Sequence, residues 1–145
     1  FTAWLIMRNL RTLHLRMPRH FENALALATM LEAHPKVEAV LYPFLPSFAQ
    51  YDLANRQMRG GSGLFSVRLK TERIEEVKKF VDSLTLFKRA VSWGGYESLI
   101  FPAAVKFADD AVPADRLSLI RLHAGIEDVD LLKKDLANAF AVLEG

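Results

Sequence analysis

Leu117-Ser118-Leu119-Ile120-Arg121-Leu122-His123-Ala124-Gly125-Ile126-Glu127-Asp128 is the stretch on which the rest of the chain turns. Its first half alternates as a strand, with Leu117, Leu119 and Arg121 on one face and Ser118, Ile120 and Leu122 on the other. A cation on an otherwise apolar strand face is costly unless an anion meets it, from the protein or from a ligand. Arg suits a planar partner such as a carboxylate, because its fork of donors binds two oxygens at once. Beyond Gly125, Glu127 and Asp128 read as the cap of a last helix. On these residues alone Arg121 is either half of a structural ion pair or the seat of a ligand.

The 145 residues are enough for one domain with a real core. Hydrophobic residues make up 51% and charged residues 25%, an ordinary globular balance. Nineteen basic residues against seventeen acidic ones leave a net charge of +2, too small and too scattered to point to nucleic acid. With no Cys there is neither a disulfide framework nor a Cys-based zinc site. No apolar run reaches membrane-spanning length, and Arg8, Arg11 and Arg16 run through Phe1–Met17, unlike a signal peptide. The chain opens at Phe1 in helical character, which gives the expectation that it is cut from something longer.

Ala3, Ile6, Leu10, Leu13, Met17, Phe21, Ala24, Ala28 and Leu31 keep helical phase for almost the whole of residues 1–31. Pro18 inside that run removes a backbone donor, so either one kinked helix or two helices meeting near Met17 are expected, the unbroken phase favouring the kink, with His34-Pro35 ending the element. Val37–Tyr42 reads as a strand. Ser47-Phe48-Ala49-Gln50 fits a capping box for a short helix, and Arg59–Gly63 as loop with a tight turn before Leu64. Leu64–Leu69 alternates as a strand, and Glu72–Leu84 carries Ile74, Val77, Val81 and Leu84 as a helical stripe. Phe87–Ser92 reads as a strand broken by Gly94-Gly95, Tyr96–Phe101 as extended, and Pro102–Pro113 as a surface loop. A closing helix presents Val129, Leu132, Leu136, Ala139 and Leu143. The order predicts an α+β fold, a two-layer sandwich in which a small, mostly antiparallel sheet carries its helices on one face.

Few stretches offer chemistry. Gly60–Gly63 lacks the Lys and Ser/Thr of a phosphate loop and precedes a strand. His14, His20, His34 and His123 show no metal-ligand spacing, and no Gly-x-Ser-x-Gly elbow occurs. Ser92-Trp93-Gly94-Gly95-Tyr96-Glu97-Ser98 has two readings: a turn needing positive φ, or a carboxylate seat made by a Ser hydroxyl and a free backbone N–H.

Leu10-Arg11-Thr12-Leu13, Asn23-Ala24, His34-Pro35, Tyr42-Pro43, Gly63-Leu64-Phe65-Ser66, Ser92–Leu99 and Arg121–Asp128 occur in this order. Together they resemble the C-terminal part of the transsulfuration enzymes, which act on Cys, Met and cystathionine with pyridoxal 5′-phosphate. The Ser92–Ser98 form is most similar to the cystathionine β-lyases within that family, with γ-synthases and γ-lyases as the alternatives. The resemblance implies that residues 1–145 form the smaller C-terminal domain, led in by the helix of Phe1–Leu31 from a cofactor-binding large domain. It implies that Arg121 binds the substrate α-carboxylate, with Ser92 beside it and the Trp93 N–H as helper. Amino-acid substrate, pyridoxal phosphate, the chain's own large domain and a homotetrameric assembly in the cytoplasm are the partners and setting it implies. The family lysine that forms the internal aldimine stands in a Ser-x-Thr-Lys-Tyr motif, which this sequence does not contain. Lys36 to Lys134 all lie in other contexts. The chain alone is therefore expected to be inactive, and no catalytic or cofactor-binding residue is assigned in it. The family's ring-stacking Tyr and nitrogen-pairing Asp likewise fall outside it. Asn9, where the family has Gly, and Pro18 are departures that bear on local geometry. The rival class is a binding or oligomerisation module that kept the fold without the chemistry.

Overall fold

The computed structural model describes residues 1–107 and 111–143. Its elements follow as α1 (Thr2–Leu10), α2 (Leu13–Glu32), β1 (Val37–Leu41), α3 (Tyr51–Gln57), β2 (Leu64–Leu69), α4 (Ile74–Ser83) and β3 (Lys88–Arg89). Then come β4 (Leu99–Pro102), a 3₁₀ turn at Ala103–Lys106, α5 (Ala114–Leu117), β5 (Leu119–His123) and α6 (Val129–Ala141). The five strands form one sheet in the order β1-β2-β5-β4-β3, so β5 lies at its centre. All neighbours are antiparallel except β3 and β4. This is the α+β fold expected.

The strand alternation decides which face carries the core. Phe65, Val67 and Leu69 of β2 and Ile120 and Leu122 of β5 are buried against α2, α4 and α6. Ala24, Leu27, Ala28 and Leu31 of α2, Val77 and Phe80 of α4, and Leu132, Leu136 and Phe140 of α6 supply the helical layer. Ser66, Arg121 and Phe101 stand on the opposite face and are half-buried. The register sets Arg121 directly between them, opposite Ser66 of β2 and Phe101 of β4.

The long N-terminal helix breaks, but not where Pro18 suggested. Pro18 lies inside α2, and the break comes at Arg11-Thr12. The Thr12 hydroxyl and N–H both reach the Asn9 carbonyl, at 3.3 and 3.4 Å, closing α1, and the Thr12 carbonyl starts α2 by accepting from Leu15 and Arg16. A Thr side chain that competes for backbone acceptors achieves what the proline does not. The continuous apolar face expected over residues 3–31 is therefore core only from His20 onward. No residue of α1 is buried, and Trp4, Ile6, Met7 and Leu10 are exposed.

Other expectations shift by local physics. Leu117 ends a helical turn and β5 begins at Leu119. The strand expected over Phe87–Ser92 shrinks to Lys88–Arg89, because β3 pairs parallel to β4 and the chain must return before re-entering the sheet. That return is the loop of residues 90–98. Ser47 does not cap α3: its hydroxyl bonds the Glu32 carboxylate, and the helix starts at Tyr51. The Gly60–Gly63 run is a close approach and not a tight turn. A Cβ on Gly61 would sit 2.6 Å from the Tyr42 hydroxyl, and one on Gly63 would sit 2.3 Å from the Ala124 carbonyl oxygen. Of the loop expected over Pro102–Pro113, Ala103–Lys106 is a 3₁₀ turn, and residues 108–110 lie outside the described residues.

Candidate functional site: a carboxylate seat at Arg121

Arg121 reaches out from the central strand to the loop of residues 90–98. Its guanidinium donates a hydrogen bond to the Val91 carbonyl, and a second, long contact reaches the Ser92 carbonyl at 3.5 Å. The Trp93 and Phe101 rings lie beside it, with centroids 5.8 and 5.3 Å from Cζ, both within range of a cation–π attraction. Carbonyls and ring faces orient a guanidinium but leave its charge uncompensated. Among the described residues no Asp or Glu lies within salt-bridge distance of Arg121; the ion pairs found there join other residues. The structural ion-pair reading of Arg121 therefore has no partner among them.

Ser92 and Trp93 are both brought to Arg121, in different ways. Ser92 approaches through its carbonyl, and its hydroxyl bonds to nothing among the described residues. Trp93 approaches through its ring, which is 62% exposed, and its backbone N–H is likewise free among the described residues. The loop beside this guanidinium thus carries a free hydroxyl and a free N–H, and each of the three groups is of a kind that donates to an anion. Gly94 explains the loop's course. Its φ of +82° is the positive-φ turn foreseen as one reading of Gly94-Gly95.

The second half of the motif anchors this loop from behind. Asp128 does cap α6, accepting from the N–H groups of Asp130 (2.9 Å) and Leu131 (3.2 Å). Glu127 does not share that task. Its carboxylate turns back to Ser98, accepting from the backbone N–H at 2.7 Å and the hydroxyl at 2.9 Å. The Ser98 hydroxyl in turn accepts from Gly125 N–H at 2.9 Å, and Ile126 N–H donates to the Tyr96 carbonyl at 2.9 Å. A Cβ on Gly125 would fall 2.3 Å from that same Tyr96 oxygen, so the two segments can lie this close only with glycine there. Asn23 of α2 completes the anchor by donating to the carbonyls of Gly125 and Glu127, each at 2.9 Å.

Three contributors left no mark in the sequence pattern. His20 and His123, far apart in the chain, are both buried with ring centroids 4.9 Å apart. Nδ1 of His20 bonds the Ala124 carbonyl at 2.7 Å, while Nε2 of His123 accepts from Gly94 N–H at 3.1 Å. Burial pushes the His123 imidazole below its ordinary range, aided by the neighbouring His20. The Gly95 carbonyl, Glu97 and Glu127 oppose this without overcoming it. The third is Asp135 of α6, buried beneath the segment that leads into β3. It accepts from the Thr85 N–H (2.9 Å) and hydroxyl (2.6 Å) and from the N–H groups of Leu86 (2.9 Å) and Phe87 (3.3 Å). Burial alone would raise its pKa, but these donors hold it below the usual carboxylate range. Among the described residues no group of three or more His, Cys, Asp or Glu could hold a metal ion, and no helix is long and apolar enough to cross a membrane.

Residues 1–141 match the family model of the Cys/Met metabolism PLP-dependent enzymes. The chain is 42% identical to a cystathionine gamma-lyase of Dictyostelium discoideum and 43% identical to a cystathionine beta-lyase of Coxiella burnetii. Each match covers 96% of this chain and 37% of the relative. It is 46% identical to a cystathionine gamma-synthase of Mycobacterium tuberculosis, over 96% of this chain and 36% of the relative. The chain thus spans little more than a third of the length of these relatives. With the family model matched from end to end of α1–α6, this chain belongs to the Cys/Met metabolism family of pyridoxal-phosphate-dependent enzymes.

Proposed function

We propose that this chain is the C-terminal, substrate-carboxylate-binding domain of a pyridoxal-phosphate-dependent C–S lyase of the transsulfuration type. The reading is closest to a cystathionine β-lyase, on the Ser92-Trp93-Gly94-Gly95-Tyr96-Glu97-Ser98 form of the loop. Cystathionine γ-lyase and γ-synthase are the alternatives, and relatives bearing all three names match at 42–46% identity. The observation that carries the proposal is Arg121: a half-buried residue whose guanidinium, aimed by backbone carbonyls and aromatic rings, has no carboxylate partner among the described residues.

Arg121 takes the α-carboxylate of the amino-acid substrate, and the Ser92 hydroxyl and Trp93 N–H supply further donors. The planar fork of Arg121 fits a carboxylate, and no lysine is among its direct contacts, so the amine that would hold the cofactor is not assigned here. Pyridoxal phosphate, held by a large domain, would supply the electron sink for chemistry at Cα. This chain supplies orientation. With the carboxylate held here and the amino group held elsewhere, the bonds at Cα keep one orientation, and fixing it removes part of the entropic barrier. The exposed apolar side chains Trp4, Ile6 and Met7 of α1 offer a surface on which such a large domain can pack.

Two measurements test the reading. In the holoenzyme containing this chain, Arg121→Ala is expected to lower kcat/KM for cystathionine by about 100-fold or more with the fold intact, as for loss of a charged contact. The chain alone, given pyridoxal phosphate and cystathionine, is expected to release no thiol. An unchanged kcat/KM, or thiol release by the chain alone, overturns it.

A further inference from the structure

We propose that Arg16 and His123 are positioning residues for the substrate: they hold Gly94 from both sides and thereby fix where Ser92, Trp93 and Arg121 stand. The inference rests on the carboxylate-seat reading of Arg121. His123 Nε2 accepts from the Gly94 N–H at 3.1 Å, and an Arg16 terminal nitrogen donates to the Gly94 carbonyl at 2.8 Å. One grips the peptide before the glycine and the other the peptide after it, around the single positive φ among the described residues, +82°.

The importance of these two bonds follows from how little else holds the loop. Upstream, Ala90 N–H donates to the Ile100 carbonyl at 3.3 Å, and downstream the Tyr96 carbonyl accepts from Ile126. Between them, the backbone of residues 91–95 bonds only to Arg121, Arg16 and His123 among the described residues. Arg121 is the group being positioned, so Arg16 and His123 are what hold the loop against it. Without them the Val91 and Ser92 carbonyls that aim the guanidinium are free to drift. A displacement of about 1 Å at such a site is enough to cost a large factor in rate.

Arg16 also gathers the preceding helices into this arrangement. Its Nε donates to the Thr12 hydroxyl and a terminal nitrogen to the Asn9 carbonyl, each at 3.2 Å. The same guanidinium therefore bridges the α1–α2 break and the substrate loop, so the angle between those helices and the position of Gly94 are set together. His123 works from the other side. It sits two residues beyond Arg121 on β5, on the same side of the strand, and is fixed by packing against His20 and beneath Gly63.

The test uses the holoenzyme containing this chain, with Arg16→Met, His123→Met and His123→Gln. Gln places an acceptor where Nε2 stands, so it rescues a positional role and not a purely aromatic packing one. Arg16→Met and His123→Met are each expected to raise KM for the amino-acid substrate about ten-fold, the scale of one charged or buried hydrogen bond, with kcat changed less. Hydrogen exchange of the peptide spanning residues 91–98 is expected to quicken in both, and His123→Gln to restore much of both properties. Arg16→Met combined with Arg121→Lys is expected to raise KM little beyond Arg121→Lys alone. Unchanged KM and exchange in the single variants, or strictly additive effects in the double variant, overturn the inference while Arg121→Lys still weakens the substrate. If Arg121→Lys itself leaves KM unchanged, the seat reading fails first, and this inference with it.

Discussion

Replacing Asp135 by Asn tests how the segment that leads into β3 and the loop of residues 90–98 is held. The wild-type carboxylate lies buried on α6 and takes donors from Thr85, Leu86 and Phe87. Asn has nearly the same shape but only one acceptor oxygen. If that oxygen stays on Thr85, the new NH₂ faces the N–H groups of Leu86 and Phe87, donor against donor. Two charge-assisted bonds are lost, at about 1.5–3 kcal/mol each, and two buried N–H groups are left unsatisfied, so a loss of about 3–5 kcal/mol is expected. For 145 residues at about 2.1 cal/mol/K each, 4 kcal/mol corresponds to a Tm lowered by roughly 13 °C. Urea unfolding followed by circular dichroism measures it. Because the folded-state pKa of Asp135 lies below the unfolded one, its stabilisation is present above about pH 4 and is lost as pH falls through the folded value. The Asn variant is expected to lack that acid-side loss. A difference below about 1 kcal/mol at neutral pH, or the same acid dependence in both proteins, refutes the assignment of these bonds as the anchor.

Further perturbations probe the neighbouring contacts. Gly63→Ala places a Cβ 2.3 Å from the Ala124 carbonyl oxygen and 2.8 Å from the His123 ring, and is expected to cost about 1–3 kcal/mol by overpacking, read from the denaturant midpoint. Asp128→Ala removes the acceptor for Asp130 and Leu131 N–H and is expected to cost about 1 kcal/mol, and an unchanged denaturant midpoint contradicts the cap. His123 is held neutral by burial, so its stabilisation is full above the unfolded pKa of about 6.5 and declines below it, at up to about 1.4 kcal/mol per pH unit. His123→Gln is expected to flatten the stability profile between pH 7.5 and 5.5, and an equally steep profile in the variant contradicts it.

Elements whose side chains repeat were legible in the sequence. The two-residue alternation of Leu64–Leu69, that of Leu117–Leu122 from Leu119 onward, and the stripe of Ile74, Val77 and Val81 appear in the structure. The alternation also set Arg121 on the face opposite Ile120 and Leu122, where it stands. What was not legible depends on single hydrogen bonds between distant residues. Thr12 ends α1 through Asn9, a contact with no periodic trace, whereas Pro18, the obvious breaker, fits inside α2. Asp135 and Glu127 look like surface acids on or beside a helix, and only the turn of residues 84–87 and Ser98 reveal their tasks. His20 and His123 meet because α2 packs over the end of β5, which no spacing rule anticipates. The glycine run of residues 60–63 illustrates the same limit: glycine marks close approach as readily as a turn, and the neighbours that decide lie elsewhere in the chain.

The most direct measurement compares, in the holoenzyme containing this chain, the affinity for a non-reactive amino-acid substrate analogue with that for the same molecule lacking its α-carboxylate. Wild-type protein is expected to favour the carboxylate form by at least about 10–100-fold, the worth of one bidentate charged contact. Arg121→Lys is expected to erase most of that preference while leaving the affinity for the amine nearly unchanged. Equal discrimination in the two proteins would place the carboxylate elsewhere and contradict the role given to Arg121.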